Sequence, residues 1–498
     1  MIDHEAPLGV MVDGPSANVN LADHLGRKAA EDPEHIAVVA PSPERRTLSW
    51  SELDAQVNAV AAGLAAHGLV AGHRVVLLGP NSIEFVVGYL AALRAGLVAV
   101  PLDPHRDVTE LGALPRDCGA QVVLARNPLD GLNVPTVPLT VAGMQALAGQ
   151  GAGPVTSPQD PEALAALVLT AGTSGDPKTV MLSHRSLLSH TEQAAALDLI
   201  GPSTTVLAML PLFGVFGLNA VLGSWLRSGA RLVIMDGFDT FFDVVRDEEV
   251  TNLPVAPALL YRMLQDDRCV THLGSVTTVV CGGAPLPEDL RVKFTERTGL
   301  RVDQGYGLTE AAGGVSATVG GEVLGHGHVG RPLPGVEIRI GTQVDADEPA
   351  EVFVRGDNLF SGYWPNGSGG PDANGWFGTG DIGYLSSGEL FLVDRAQELI
   401  TVNGFHVYPA EVEGAIAELA GVELVAVLGR PDPRTGEQVL AFVTGRGLTE
   451  AAVADHCAIR LAKFKRPTTI VVVDALPQGT TGQVLKGQLR TLAKEARG

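Results

Sequence analysis

Residues 74–102 read RVVLLGPNSIEFVVGYLAALRAGLVAVPL. The first six are an apolar run of strand length that ends on Gly79. Asn81 can cap the segment that follows. Ile83, Val86, Val87, Leu90 and Leu93 then recur at helical spacing until Gly96 interrupts them. Residues 97–102 return to strand character. Strand, helix and strand in that order form a crossover unit, which predicts a parallel sheet. Further strands are predicted at 121–125, 164–170, 231–235 and 276–281, so the long N-terminal part reads as α/β with more than one sheet.

The texture changes after about residue 325. Short β segments at 336–340, 351–355 and 388–393 carry glycine-containing turns, Ser386-Ser387-Gly388 among them. From about residue 395 a smaller α+β module is predicted. It has a strand at 399–402, a helix opened by Pro409 with Val412, Ile416 and Leu419 on one face, strands at 424–428 and 438–443, and a helix over 449–461. The expected division is a large domain over 1–393, a hinge over 394–397 and a small domain over 398–498.

Composition narrows the function classes. A chain of 498 residues exceeds one ordinary core, and shares of 45% hydrophobic and 18% charged residues fit a packed globular protein. The 60 glycines and 32 prolines punctuate apolar runs and form no low-complexity tract. A net charge of -21 disfavours nucleic acid and acidic membrane surfaces as partners. Cys118, Cys269, Cys281 and Cys457 lie far apart without metal spacing, and no apolar run has the length of a membrane span. A cytoplasmic location is expected.

Three segments carry chemistry. Thr170-Ala171-Gly172-Thr173-Ser174-Gly175-Asp176-Pro177-Lys178 follows a predicted strand. Its glycines free backbone N–H groups for phosphate, its hydroxyls add donors and its lysine adds charge. Gln304-Gly305-Tyr306-Gly307-Leu308-Thr309-Glu310 offers a ring to stack on a base and a carboxylate for Mg²⁺. Gly378-Thr379-Gly380-Asp381 sets a carboxylate in a tight loop, suited to two ribose hydroxyls. Alone, each has an ordinary structural explanation: a loop, a glycine turn with a packed tyrosine, and a turn cap.

Taken in order, these segments resemble the AMP-forming adenylating enzymes: acyl- and aryl-CoA synthetases, luciferases and peptide-synthetase adenylation domains. The resemblance runs from Leu48-Ser49-Trp50-Ser51-Glu52-Leu53 to about Leu489 and includes Gly282-Gly283-Ala284-Pro285-Leu286, Gly330-Arg331-Pro332, Trp376-Phe377 and Asp394-Arg395. It implies a mobile C-terminal domain and a two-step reaction with ATP, Mg²⁺ and coenzyme A. A carboxylate attacks the α-phosphate of ATP, and a thiol then displaces AMP. It further implies that Thr170, Gly172, Thr173, Ser174, Gly175 and Lys178 close over the β- and γ-phosphates, and that Thr173 and Glu310 lie near Mg²⁺. Gly283, Ala284, Pro285 and Tyr306, with Gln304, Gly305 and Gly307 beside it, would enclose the adenine. Thr309 would touch the α-phosphate, and Asp381 and Arg395 the ribose. Gln397 would stand in the hinge and Gly404 on the thiol path. Phe213, Phe216, Asn219, Val280, Cys281, Gly305 and Gly307 would border the acid. No aspartate follows Phe213, so a fatty or aromatic acid fits better than an amino acid.

The sequence departs from that pattern at one catalytic position. In Pro477-Gln478-Gly479-Thr480-Thr481-Gly482-Gln483, Gln483 stands where the family carries a lysine. A neutral amide cannot neutralise a carboxylate. Three readings are compatible: an engineered trap, a natural enzyme that is slow or uses Lys463, Lys465 or Lys486, or loss of the first half-reaction. A carrier protein in place of coenzyme A, and a catalytically impaired nucleotide-binding relative, are the alternative functions. Gly214, where a histidine is frequent, opens room beside the acyl pocket.

Overall fold

The structure is a computed structural model that describes residues 19–105, 115–127, 134–151, 153–170, 177–325, 327–341, 349–395, 398–403, 405–479 and 482–495. The crossover unit forms as the sequence predicts. Strands Arg74–Leu78 and Val98–Leu102 are parallel neighbours, joined by helix Ile83–Arg94. They sit inside a six-stranded sheet with Ala120–Ala125, Thr136–Pro138, Leu164–Leu169 and Thr179–Ser183, and only the last pairing is antiparallel.

Helix Ile83–Arg94 is buried along its whole length. A helix without a polar face needs apolar cover all round. It lies in a core shared with a second sheet, through residues such as Trp50, Trp225 and Leu232. Asn81 does not cap it. Ser82 does, its Oγ accepting from the Phe85 N–H at 3.2 Å. Asn81 instead donates to the Leu210 carbonyl at 2.9 Å and accepts from the Leu212 N–H at 3.0 Å, which ties the two sheets together.

Among the described residues the second sheet has thirteen strands, beginning at the edge strand Arg46–Ser49, which pairs antiparallel with Ile36–Ala40. Ile36–Ala40, Arg231–Ile234, Thr205–Ala208, Asn252–Val255, Thr278–Cys281 and Val302–Leu308 run parallel. Their carboxyl ends therefore share one edge, where ligands bind in open α/β sheets. The sheet continues antiparallel through Gly313–Ala317, His328–Pro332, Glu389–Arg395, Phe377–Ser386, Ala350–Arg355 and Glu337–Ile340. Ser387 and Gly388, at φ 52° and 79°, make the two-residue hairpin turn. Residues 378–381 are not a separate loop, as their glycines suggest, but lie inside strand Phe377–Ser386. Gly305 to Leu308 likewise belong to a strand.

The C-terminal module has its own sheet. Val422–Asp432 and Ile400–Val402 flank Gly436–Gly445 antiparallel, and Thr469–Val472 joins it parallel. Helices Pro409–Ala417 and Glu450–Arg460 pack on it through Val412, Ile416, Val453 and Cys457. Thr449 caps the second, accepting from the Ala452 N–H at 3.2 Å. A last helix, Lys486–Glu495, was not evident in the sequence. Among the described residues no helix is long and apolar enough to cross a membrane.

Candidate active site

The edge formed by the parallel strand ends collects most of the expected residues. Thr278–Cys281 leads into Gly282 and Gly283, and the neighbouring Val302–Leu308 carries Gly305, Tyr306 and Gly307. Gly283 is at φ +80°, a left-handed conformation that favours glycine. Gly307 approaches the Gly313 carbonyl so closely that a Cβ would lie 2.2 Å from its oxygen. Gln304 is anchored by Thr318, which exchanges hydrogen bonds with its N–H and C=O at 2.9 Å each. Gly283, Ala284 and Pro285 are at least partly open to solvent.

Asp381 is 7% exposed, yet its carboxylate is well supplied with donors. Tyr306 Oη donates to Oδ2 at 2.5 Å, and Arg395 Nε donates to Oδ1 at 3.1 Å. Asp381 and Arg395 are directly opposed across strands Phe377–Ser386 and Glu389–Arg395. Burial, reinforced by the Asp381 charge, pushes the Tyr306 hydroxyl well above its ordinary pKa, so it stays protonated and remains a donor.

Lys178 lies at the exit of the glycine-rich loop. Its N–H donates to Thr170 Oγ1 at 3.0 Å, and its carbonyl accepts from the Thr170 N–H at 2.9 Å, which closes the neck of that loop. Gly172, Thr173, Ser174 and Gly175, the body of the loop, fall outside the described residues. Thr309 and Glu310 form a short 3-10 turn beyond the strand. Glu310 Oε1 accepts from Tyr363 Oη at 2.7 Å. The sequence reading did not single out Tyr363. The available signal is weak: Tyr363 follows Gly362 and precedes Trp364-Pro365, with a glycine on one side only, whereas Tyr306 has one on each side.

The expected acyl-pocket residues divide. Phe213 and Phe216 are half-buried at the same edge, and a Cβ on Gly282 would lie 3.2 Å from the Phe216 ring. Val280 packs within 3.9 Å of the Cβ position at Gly305. Cys281, on the opposite face of its strand, is fully buried in the second core, where burial raises its thiol pKa. Asn219 sits in a π-helical turn, Phe216–Val221, and is fully buried. Its Nδ2 donates to the Ala312 carbonyl at 2.8 Å and the Leu187 carbonyl at 3.3 Å, so the amide serves packing between segments.

The C-terminal module brings a hairpin to this edge. The Gly479 N–H donates to the Gln483 carbonyl at 2.8 Å, and the Leu485 N–H to the Pro477 carbonyl at 2.8 Å. Gly482, at φ +83°, rests on Ala258, just past strand Asn252–Val255; a Cβ there would lie 2.3 Å from the Ala258 Cβ. Gln483 comes next. Its Oε1 is buried with no hydrogen-bond partner among the described residues. Two of the three alternative cations are engaged elsewhere. Lys465 pairs with Glu411 at 2.6 Å, and Lys486 with Glu398 at 2.6 Å and Glu413 at 2.8 Å. Burial alone would lower the Lys486 pKa, but the two carboxylates outweigh it and the net shift is upward. At the end of strand Glu389–Arg395, burial pushes the Asp394 carboxyl up to about 6, against backbone donors at Ala410 and Arg395. Gln397 and Gly404 lie outside the described residues.

The donor set suits a nucleotide with a divalent cation. Asp381 is an oriented carboxylate, Glu310 is a hard oxygen ligand, and Lys178 is a cation beside a hydroxyl-rich loop. Comparison with known proteins agrees. The family model for AMP-binding enzymes matches residues 25–364, and that for the AMP-binding enzyme C-terminal domain matches residues 411–483. 4-Coumarate–CoA ligase 5 of Oryza sativa subsp. japonica is 33% identical, over 89% of each chain. Long-chain-fatty-acid–CoA ligase FadD13 of Mycobacterium tuberculosis (strain H37Rv) is 31% identical, over 95% of this chain and 98% of its own. The crystal structure of ATP-bound MatB from Rhodopseudomonas palustris superposes with a TM-score of 0.89 at 29% identity, over 97% of this chain and 100% of its own. The apo form of MatB gives a TM-score of 0.77, at 30% identity over the same shares.

Proposed function

This chain belongs to the AMP-binding enzyme family, and from that premise we propose how its residues divide the work. It is an AMP-forming acid–CoA ligase that uses ATP, Mg²⁺ and coenzyme A. In the first step the acid's carboxylate oxygen bonds to the α-phosphorus and pyrophosphate leaves. In the second, the coenzyme A sulfur bonds to the acyl carbon and AMP leaves.

Asp381 accepts the ribose hydroxyls. Its support is the arrangement described above: a buried carboxylate held by Tyr306 and Arg395, with lone pairs to spare. Tyr306 and the segment from Gly283 to Pro285 enclose the base. Lys178 and the loop before it hold the β- and γ-phosphates, Thr309 reaches the α-phosphate, and Glu310 presents a carboxylate to Mg²⁺. Mg²⁺, when bound, supplies neutralising charge to the phosphate oxygens. Phe213 and Phe216 border a fatty or aromatic acid, in keeping with the substrates in the names of the two similar ligases. The hinge lies at 394–397, between domains 1–393 and 398–498.

Gln483 limits the first step. The attacking carboxylate and the α-phosphate meet as anions, and a lysine at this position would offset their charge where an amide offers only a dipole. The observation that carries this reading is the docked hairpin: Gly482 on Ala258 delivers residue 483 to the strand-end edge, and Lys465 and Lys486 are tied to carboxylates. The closer likeness to ATP-bound than to apo MatB supports taking this arrangement as the adenylating one. The test is a panel of fatty and aromatic acids with ATP and coenzyme A, read by AMP and thioester formation. Gln483→Lys should raise acyl-adenylate formation about 10²–10³-fold. Thioester formation from presynthesised acyl-adenylate should change little. Fast pyrophosphate exchange in the native chain, with no gain from lysine, would reject the role of Gln483.

A further inference from the structure

Lys178 and Glu310 adjoin strands of different sheets, 132 positions apart in the chain, yet one side chain touches both. The Lys178 ammonium lies 4.7 Å from the centroid of the Tyr363 ring, and the Tyr363 hydroxyl donates to Glu310 Oε1 at 2.7 Å. The backbone that carries Tyr363 is fixed at several points. The Phe360 N–H donates to the Glu310 carbonyl at 2.8 Å, the Ser361 N–H to the Met181 carbonyl at 2.9 Å, and the Trp364 N–H to the Thr179 carbonyl at 2.9 Å. The segment is thus strapped to the strand that follows Lys178 and to the turn that holds Glu310.

The ring is fixed as well. Phe360 meets it edge-on at 5.0 Å, and Gly369, at φ +70°, approaches so closely that a Cβ would lie 2.9 Å from Tyr363 Cδ2.

We infer that Tyr363 is a positioning residue that joins the phosphate-binding lysine to the cation-holding carboxylate: its ring seats the Lys178 ammonium, while its hydroxyl engages Glu310 Oε1 and leaves Oε2 to face the cation. The two charges that must flank the triphosphate are thereby set against one rigid ring. Without it, each would sample rotamers independently, and the entropy of ordering both would fall on nucleotide binding. The inference rests on the roles given above to Lys178 and Glu310.

Calorimetry of ATP binding without acid, with and without Mg²⁺, separates the possibilities. Tyr363→Phe keeps the ring and removes the hydroxyl. It should leave Mg²⁺-free ATP affinity within about twofold and reduce the gain in affinity on adding Mg²⁺ about five- to tenfold. Tyr363→Leu removes the ring face too, and should also weaken Mg²⁺-free ATP binding by about two- to fivefold. AMP, which lacks the outer phosphates, should bind both variants as it binds the native chain. An unchanged Mg²⁺ gain in Tyr363→Phe, or equal losses for AMP and ATP alongside a lowered melting temperature, would overturn the inference in favour of plain packing. Lys178→Ala and Glu310→Gln serve as controls. If they leave ATP binding intact, the underlying assignment fails; if they impair it while Tyr363→Phe does not, only the coupling fails.

Discussion

Replacing Gly482 with alanine should disable the adenylating arrangement while leaving the thiol step intact. Two costs add in the docked state. At φ +83° an alanine is strained by about 1–2 kcal/mol. Its Cβ would lie 2.3 Å from the Ala258 Cβ, against 3.4–4 Å for ordinary contact, with Ala258 Cα 3.5 Å behind. No flexible side chain can turn aside, so the hairpin must retreat by more than an ångström or absorb about 1–3 kcal/mol of overpacking. Together, about 2–5 kcal/mol corresponds to a loss of about 30- to several-thousandfold in acyl-adenylate formation. The assay is pyrophosphate release with an accepted acid and hydroxylamine as acceptor, run in both the native and Gln483→Lys backgrounds. Conversion of presynthesised acyl-adenylate to thioester should stay within about twofold. Ala258→Gly removes the opposing methyl, so in the Gly482→Ala background it should restore the overpacking share, about five- to 150-fold, and leave the φ share in place. A Gly482→Ala enzyme that adenylates at the native rate, or a double variant no better than the single, would refute the docked hairpin as the adenylating geometry.

Asp381→Ala should weaken AMP and ATP alike, because both carry the ribose; calorimetry with unchanged affinities would remove that assignment. Lys178→Ala should weaken ATP far more than AMP, and equal effects on the two would place the lysine away from the outer phosphates. Stability should depend on the neutrality of buried histidines. Burial lowers His184 and His190 from 6.5 to about 4. Unfolded chains then bind more protons than native ones between those values, so stability present above about pH 6.5 is lost as the pH falls towards 4, by at most about 1.4 kcal/mol per pH unit for each histidine. His190→Gln should flatten the pH dependence of the urea midpoint in that window, and an unaltered slope would show that His190 is not held neutral.

The α/β core was legible because its signals are local. In residues 74–102 the apolar period itself switches from strand to helix and back. The order of the glycine-rich segments pointed to the proposed nucleotide edge for a related reason: backbone N–H groups must approach phosphates wherever the fold puts them. What escaped depended on distant partners. Ser82 and Asn81 are both good caps, and only the Leu210 and Leu212 backbone of the second sheet draws Asn81 away. The glycines at 378–381 look like a turn until strand Glu389–Arg395 pairs with them. Asn219 reads as a polar pocket residue in sequence, but its donors go to the carbonyls of Leu187 and Ala312. Tyr363 acquires its role only when two sheets bring Lys178 and Glu310 to its ring and hydroxyl.

Lys486 binds together three stretches that are far apart in the chain: residue 398 at the start of the small module, helix Pro409–Ala417, and the final helix. The hairpin bearing Gln483 is suspended between strand Thr469–Val472 and this pinned lysine, so both of its ends are clamped. Residue 483 therefore has no reach of its own. On the proposed reading, with the small module turning about the hinge, it would behave as a tooth on a rigid wheel: its distance from the α-phosphate would be set by the module's seating on Ala258. Chemistry at this position is thus indexed by module orientation. On that reading a substitution at 483 should be felt in the docked orientation and silent in the other, and loosening Lys486 from Glu398 and Glu413 should blur that distinction.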